Sequence, residues 1–371
     1  MSYLAASSAM PMGAKEVDKP RGAMIRIPRI TLTLIVGVAV TFMQKSVAAQ
    51  SAMYQFLQCE IGLTSSQIDA IHDGTPQAVS LPARSPSEVF LIGVIYIKAP
   101  PERYLNYARD IGELRKLSSY EAVGSFSAQP VLSDLRGFTL DRDEVDDLKH
   151  CIPGDCSLQI SISSIEKLGR TINWSSPDVF DQVNEYVRRD ALNVLLAYQQ
   201  AGNPALGVYN DKPDPTVVDT TFASLLTYKH LLLQRYLPGL YQHLMVYPKE
   251  KSPGMEDRFY WAKVRFGLKP TFRIVHTVMM KGDPKDSVAY AIAEKQLYAT
   301  HYFKSALNLS ICIRDADATK AKGFYLMMIM GSEQSGLTGA RGTVLRKVAV
   351  NRSIANLRRA LINIRERLEK Q

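Results

Sequence analysis

The sequence predicts an α+β fold: an antiparallel sheet packed on a long C-terminal helix, with a large helical insertion at about 130–250. Three observations predict it. About five consecutive alternating or apolar segments, joined by short turns, fill residues 258–330, the pattern of an antiparallel sheet. Ile354, Leu357, Leu361, Ile364 and Leu368 then recur at spacings of three and four, a stripe that needs an apolar surface to cover. The stretch between an early strand and the sheet carries helix starts, stops and apolar spacings instead.

The first 49 residues stand apart. Arg21, Arg26 and Arg29 precede the apolar run 30–43, and Ser46-Val47-Ala48-Ala49 places small or β-branched residues where a signal peptidase cuts. The expectation is a signal peptide over 1–49, cleaved after Ala49 with Ala52 as second site, and hence an exported protein of the periplasm or cell envelope. A retained N-terminal anchor is the alternative, although the run is shorter than the roughly 20 residues a spanning helix needs. Met24, just before the basic stretch, competes with Met1 as the start. Gln58 stands where a lipobox before Cys59 needs a small residue.

A lead-in segment, 50–87, precedes a single domain, 88–371. Thr64-Ser65-Ser66 caps a short helix that Gly74 ends. Val89–Lys98 is a β-rich apolar run and so a buried strand; Pro100-Pro101-Glu102 opens a helix carrying Tyr104, Leu105, Ala108, Ile111 and Leu114. In the insertion, Asp141 caps an acidic segment (Asp143, Glu144, Asp146, Asp147) whose spacing does not match a calcium loop. Ser176-Pro177-Asp178 starts the longest helix, with Val183, Val187 and Leu195 on its apolar side, and Gly202-Asn203-Pro204 stops it; shorter helices follow near 215–228 and 237–247. In the sheet, Tyr260, Ala262, Val264 and Phe266 alternate with Lys263 and Arg265. Phe272, Ile274, His276, Val278 and Met280 share one face, with Arg273 on the other.

The chain is 46% hydrophobic and 22% charged, ordinary for a globular protein. Its net charge of +9 falls to +5 once residues 1–49, with six basic and two acidic residues, are removed. That is too mild for a nucleic-acid binder. In an oxidising compartment Cys151 and Cys156, bracketing the Pro153-Gly154 turn, are expected to form a disulfide, while the relation of Cys59 to Cys312 stays open. Nucleophile-elbow, phosphate-loop, dinucleotide and zinc-protease motifs are all absent, and the histidines at 72, 150, 230, 243, 276 and 301 form no pair at metal-ligand spacing. The sequence therefore selects no catalytic residue, metal or cofactor.

The order of elements over about 88–126 and 255–369 resembles the helix-grip architecture of the START-like superfamily. The runs Tyr260-Trp261-Ala262-Lys263-Val264, Gly267-Leu268-Lys269-Pro270-Thr271 and Lys295–Phe303 are similar to those of a group of uncharacterised exported bacterial proteins. The helix-grip resemblance implies a sheet wrapped on its terminal helix with an apolar cavity between them. Candidate cavity residues are His276, Met280, Lys295, Tyr298, His301, Tyr302 and Met328. His276 is either a polar handle or a satisfied core histidine; the cluster from Lys295 to Tyr302 is either a ligand mouth or a sheet edge; the methionines suit an adaptable lining or plain core. The expected function is an exported binding protein for an apolar or lipid-like ligand. An envelope scaffold presenting the insertion to a partner is the alternative, and a hydrolase-type enzyme with an unrecognised site the third. Residues 341–371 hold nine basic and two acidic side chains; Arg358, Arg359, Arg365 and Arg367 are the residues expected to face an anionic membrane.

Overall fold

The computed structural model describes residues 53–370, apart from 232, 250–252, 267–268 and 316–322. The expected signal peptide, its cleavage sites and the choice of start codon lie outside the described residues, as does the Gly267-Leu268 pair.

The strands are β1 (Gln77–Leu81), β2 (Glu88–Ile97), β3 (Tyr120–Ser125), β4 (Val208–Tyr209), β5 (Thr216–Val217), β6 (Met255–Arg265), β7 (Pro270–Lys281), β8 (Val288–Ala299), β9 (Phe303–Arg314) and β10 (Phe324–Gln334). Eight of them form one sheet in the order β1-β2-β10-β9-β8-β7-β6-β3, antiparallel throughout; β4 and β5 pair apart. The helices are α1 (Ser65–His72), α2 (Pro101–Arg109), α3 (Ile111–Arg115), α4 (Arg142–Leu148), α5 (Ile162–Thr171), α6 (Val179–Ala201), α7 (Val218–Leu226), α8 (Leu233–Tyr236), α9 (Pro238–Val246) and α10 (Gly339–Glu369). This is the expected α+β arrangement: a large antiparallel sheet, a long C-terminal helix and a mainly helical stretch between β3 and β6.

Two details differ from the sequence reading. The helix expected through Leu114 breaks at Asp110, whose carboxylate turns back to accept from the Gly112 amide at 2.8 Å and starts α3 afresh. The edge strands β1 and β3 were not foreseen, because QAVSL and YEAVGS are too short and mixed to carry a periodic signal.

Both faces of the sheet are covered, which is why every residue of β2 is buried. Phe90, Ile92 and Val94 pack with Leu57, Ile71, Phe222, Leu225, Leu240 and Leu244, from the lead-in segment and from α1, α7 and α9. On the same face Trp261, Phe272, Ile274 and Leu297 meet Leu148, Leu168, Val183, Leu195 and Tyr198 of α4, α5 and α6. On the opposite face Leu91, Ile95, Ile97 and Leu326 meet Leu357, Leu361, Ile364 and Leu368 of α10. A Cβ on Gly93 would come within 2.8 Å of Leu361 and 2.9 Å of Leu357, so this glycine is what lets α10 approach β2.

Only the C-terminal half of α10 is seated in this way. Val344 (65% exposed), Leu345 and Val348 point away from the sheet, on one helical stripe with Arg341, Arg352 and Arg359. No described helix is long and apolar enough to cross a membrane. Cys151 and Cys156 form the expected disulfide. Exposed Cys59 and buried Cys312 are both free, so they do not pair with each other.

The two sides of α10 predict opposite mutational responses. Leu361→Ala should cost about 2–5 kcal/mol in urea unfolding, because it empties a fully buried site against Gly93. Val348→Ala should stay within about 0.5 kcal/mol of wild type. Equal losses would contradict the packing of this helix.

Candidate functional site

The covering of the sheet by the insertion buries ionisable groups that the strand pattern alone places on an apolar face. Asp257 on β6, His276 on β7 and Lys295 on β8 lie in adjacent strands; His276 and Lys295 are cross-strand partners. His276 and Lys295 have no exposed surface. Tyr198, Asn203 and His243 descend on them from α6, the turn after it, and α9.

These groups form one hydrogen-bonded chain. Asn203 is anchored through Nδ2 to the carbonyls of Leu244 (3.1 Å) and Met245 (3.0 Å), and its Oδ1 accepts a short bond from Lys295 Nζ. Lys295 Nζ also donates to the Tyr198 hydroxyl at 3.3 Å, and that hydroxyl is 2.9 Å from His276 Nδ1. His276 Nε2 is 2.7 Å from Asp257 Oδ1, and His243 Nε2 reaches the same oxygen at 2.8 Å. The network assigns the tautomers: Tyr198 donates to Nδ1 of His276, which donates from Nε2 to the carboxylate, and His243 does likewise. Only Nδ1 of His243 is left buried without a partner. Aromatic rings close the site: Phe259 stacks on His276 at 4.6 Å, Tyr247 stacks on Tyr198 at 5.0 Å, and Lys295 Nζ sits 3.9 Å from the Phe222 centroid.

Burial sets the charge states. It pushes the His276 imidazole down to about 4, against the pull of Asp257, so the ring is neutral at pH 7. It pulls the Lys295 ammonium well below its ordinary value and raises the Tyr198 phenol. Burial also acts to raise Asp257, but the bonds from His243 and His276 outweigh it and hold this carboxyl well below the usual range.

The residues expected at a ligand site fall in several places. His276 and Lys295 join the chain above. Met280 is half-buried at the edge of the same face, and Tyr298 is buried beside Tyr209. His301 is engaged by the insertion: its Nε2 is 2.9 Å from Glu144 of α4 and its Nδ1 3.0 Å from the Ser157 carbonyl. Tyr302, at a φ of 64°, turns β8 into β9, and its hydroxyl accepts from the Lys269 amide at 2.8 Å. Met328 lies on the opposite face, half-buried near α10. Of the four arginines, Arg358 donates to the Ala78 carbonyl, Arg365 to that of Gly74, and Arg367 pairs with Glu113; Arg359 is exposed on Asn356.

The α10 face holds a different anomaly. Arg273 is only 6% exposed, yet its Nε has no hydrogen-bond partner and no carboxylate lies within ion-pair distance among the described residues. The Phe266 ring lies 5.8 Å from its guanidinium carbon, and Tyr260 and Tyr120 also act on its charge. Glu294, which adds to the field around it, is already engaged by the Tyr260 hydroxyl (2.9 Å) and Asn308 Nδ2 (3.3 Å). Gln296, on the neighbouring strand and the same face, has a buried Oε1 that is also unpartnered. From Glu294 a cross-strand row runs through Asn308 to half-buried Met330 and then Leu91, toward α10. Two depressions of about 510 and 500 Å³ lie elsewhere: beside β3, lined by Arg115, Tyr120 and Trp261, and beside the disulfide loop.

Sequence reasoning missed Tyr198, Asn203, His243 and Asp257. Tyr198 had a legible signal, since it continues the stripe of Val183, Val187 and Leu195 with a hydroxyl. The others come together only through the tertiary path of the insertion.

Tyr198→Phe should cost about 1–3 kcal/mol, because it leaves His276 Nδ1 without a partner and the Lys295 amine with Asn203 alone. Lys295→Met combined with it should recover part of that loss, a coupling of about 0.5–3 kcal/mol in a double-mutant cycle. Strict additivity would show that the two groups do not share one chain.

No protein-family model, curated protein or solved structure significantly matches the chain, so its function is read from these groups alone.

Proposed function

We propose that the chain is an exported, envelope-associated binding protein for an anionic amphiphile, an apolar tail with a carboxylate or phosphate head, held on the α10 face of the sheet. The observation that carries this reading is Arg273. A buried guanidinium without an acceptor is costly, and the partner that relieves it best is a carboxylate or phosphate held by paired N–H donors. Gln296 supplies a second polar group beside it. The half-buried Met328, Met330, Val350 and Ile354 between sheet and helix offer adaptable apolar surface for a tail. The helix-grip resemblance of the element order and the signal-peptide pattern of residues 1–49 support the same reading.

The outer stripe of α10 adds a mode of docking. Val344, Leu345 and Val348, flanked by Arg341, Arg352 and Arg359, have the composition of a surface that rests at a lipid interface and favours anionic headgroups. Arg358 and Arg365 turn to backbone carbonyls of the β1 region, so the docking role passes to the exposed arginines of this stripe.

Two measurements test the reading. Organic extracts of gently purified protein should yield a fatty-acid-like or acidic lipid, and Arg273→Met should lose it while raising Tm, since an unpaired buried charge has been removed. A clean extract, together with a lower Tm for Arg273→Met, would reject ligand binding and make Arg273 a structural cation. Vesicles containing anionic lipid should bind the protein and release it as salt is raised. Leu345→Asp with Arg352→Glu and Arg359→Glu should abolish that binding without unfolding. Equal binding to neutral vesicles would reject the docking mode alone.

A further inference from the structure

On the opposite face, we infer that His243, Asp257 and His276 form a binding site for a divalent transition-metal ion, zinc foremost. Three electron-pair donors from separate elements converge there: both Nε2 atoms point at one carboxylate oxygen, and the three ligating atoms lie within 4.8 Å of one another. Two imidazoles and one carboxylate are a donor set that zinc accepts, with a further position left for water or a small anion. Hard ions such as calcium and magnesium prefer an all-oxygen shell and are disfavoured.

The distances fit a modest adjustment. Ligand atoms around a tetrahedral zinc lie about 3.3 Å apart, as follows from bonds of about 2.0–2.1 Å. The N···O separations here are 2.7 and 2.8 Å, so the metal replaces two hydrogen bonds and the groups part by roughly half an ångström. On His243 the metal has to replace one hydrogen bond alone, since among the described residues its ring bonds to Asp257 and its Nδ1 to nothing. Asp257 is the side from which the ion enters: its side chain keeps 14% of its surface exposed, against 1% and 0% for the two histidines.

The groups around His276 support either state. A ligating histidine needs a partner for its second nitrogen. Once Nε2 of His276 binds metal, its proton resides on Nδ1, where the Tyr198 hydroxyl 2.9 Å away turns from donor to acceptor. Tyr198 is held in place by the Lys295 amine at 3.3 Å, which also donates to Asn203. Bound metal would tie α9 of the insertion to β6 and β7.

The test uses the full chain as exported and purified. Zinc added alone should bind at close to one equivalent and raise Tm in a manner that EDTA reverses. Cobalt in its place should give the intense visible bands of a low-symmetry site of low coordination number. Asp257→Asn and His243→Gln should each weaken zinc binding at least tenfold and remove those bands. Wild-type protein with neither stoichiometric zinc nor a cobalt spectrum would overturn the inference even if both variants fail to fold, and so would unchanged zinc affinity in both variants. None of these readouts depends on the amphiphile bound at Arg273, so the two proposals fail separately.

Discussion

A lysine amine with no exposed surface sits near the middle of β8, one strand from a buried histidine and two from a half-buried carboxylate. The strands supply one bond among the three, from His276 to Asp257, and leave the Lys295 amine and His276 Nδ1 to be satisfied from elsewhere. Tyr198, Asn203 and His243 supply the other bonds, and all three belong to the stretch between β3 and β6. Burying such groups is tolerable only when every member is paired, and breaking one link leaves others stranded. The chain therefore specifies where α6 and α9 lie on the sheet more sharply than their apolar faces do, since leucines tolerate sliding and a directed chain of bonds does not. Further contacts work to the same end along the sheet: Trp261 donates to the Asp134 carbonyl at 2.8 Å, Lys263 pairs with Asp141 at 2.6 Å, and His301 meets Glu144.

Because the insertion closes one face so completely, the two faces of the sheet have different characters. The insertion side is dense and aromatic, and most of its buried polar groups are paired, His243 Nδ1 being among the exceptions. The α10 side is covered by Leu357, Leu361, Ile364 and Leu368 over β2 and by Tyr104, Ile111 and Leu114 of α2 and α3 over β6 to β9, and it retains an arginine Nε without a partner and half-buried methionines. A ligand is therefore proposed on the second face and a metal ion on the first, where convergent small-atom donors need little room. The outward stripe of α10 belongs with the second face, since the same helix that covers it would rest on the membrane.

The parts of the fold that were legible in the sequence share one property: a period long enough to register. The five strands from β6 to β10, the buried β2, the long α6 and the stripe of α10 all repeat their signal over ten residues or more. The short edge strands β1 and β3 do not, and the break at Asp110 depends on one side chain capping a neighbouring amide. For the site, His276 stood out because it interrupts an apolar face, and Lys295 because it opens a cluster of aromatic and polar residues. Their partners did not, since Asn203 reads as a helix stop, His243 as a helix-face residue and Asp257 as the polar start of a strand. The alternation of Lys263 with Ala262 and Val264 shows the same limit: it marks two sides of a strand without revealing that both are covered, and Lys263 is 8% exposed.

The central claim is that the buried polar chain makes insertion and sheet one cooperative unit. Native-state hydrogen exchange under increasing denaturant measures this most directly. The account predicts that core amides of α6 and α9 open together with those of β6, β7 and β8, at the free energy of global unfolding, and that Tyr198→Phe splits them so that the helices open first. Insertion amides that already exchange several kcal/mol below the strands in the wild-type protein would contradict it.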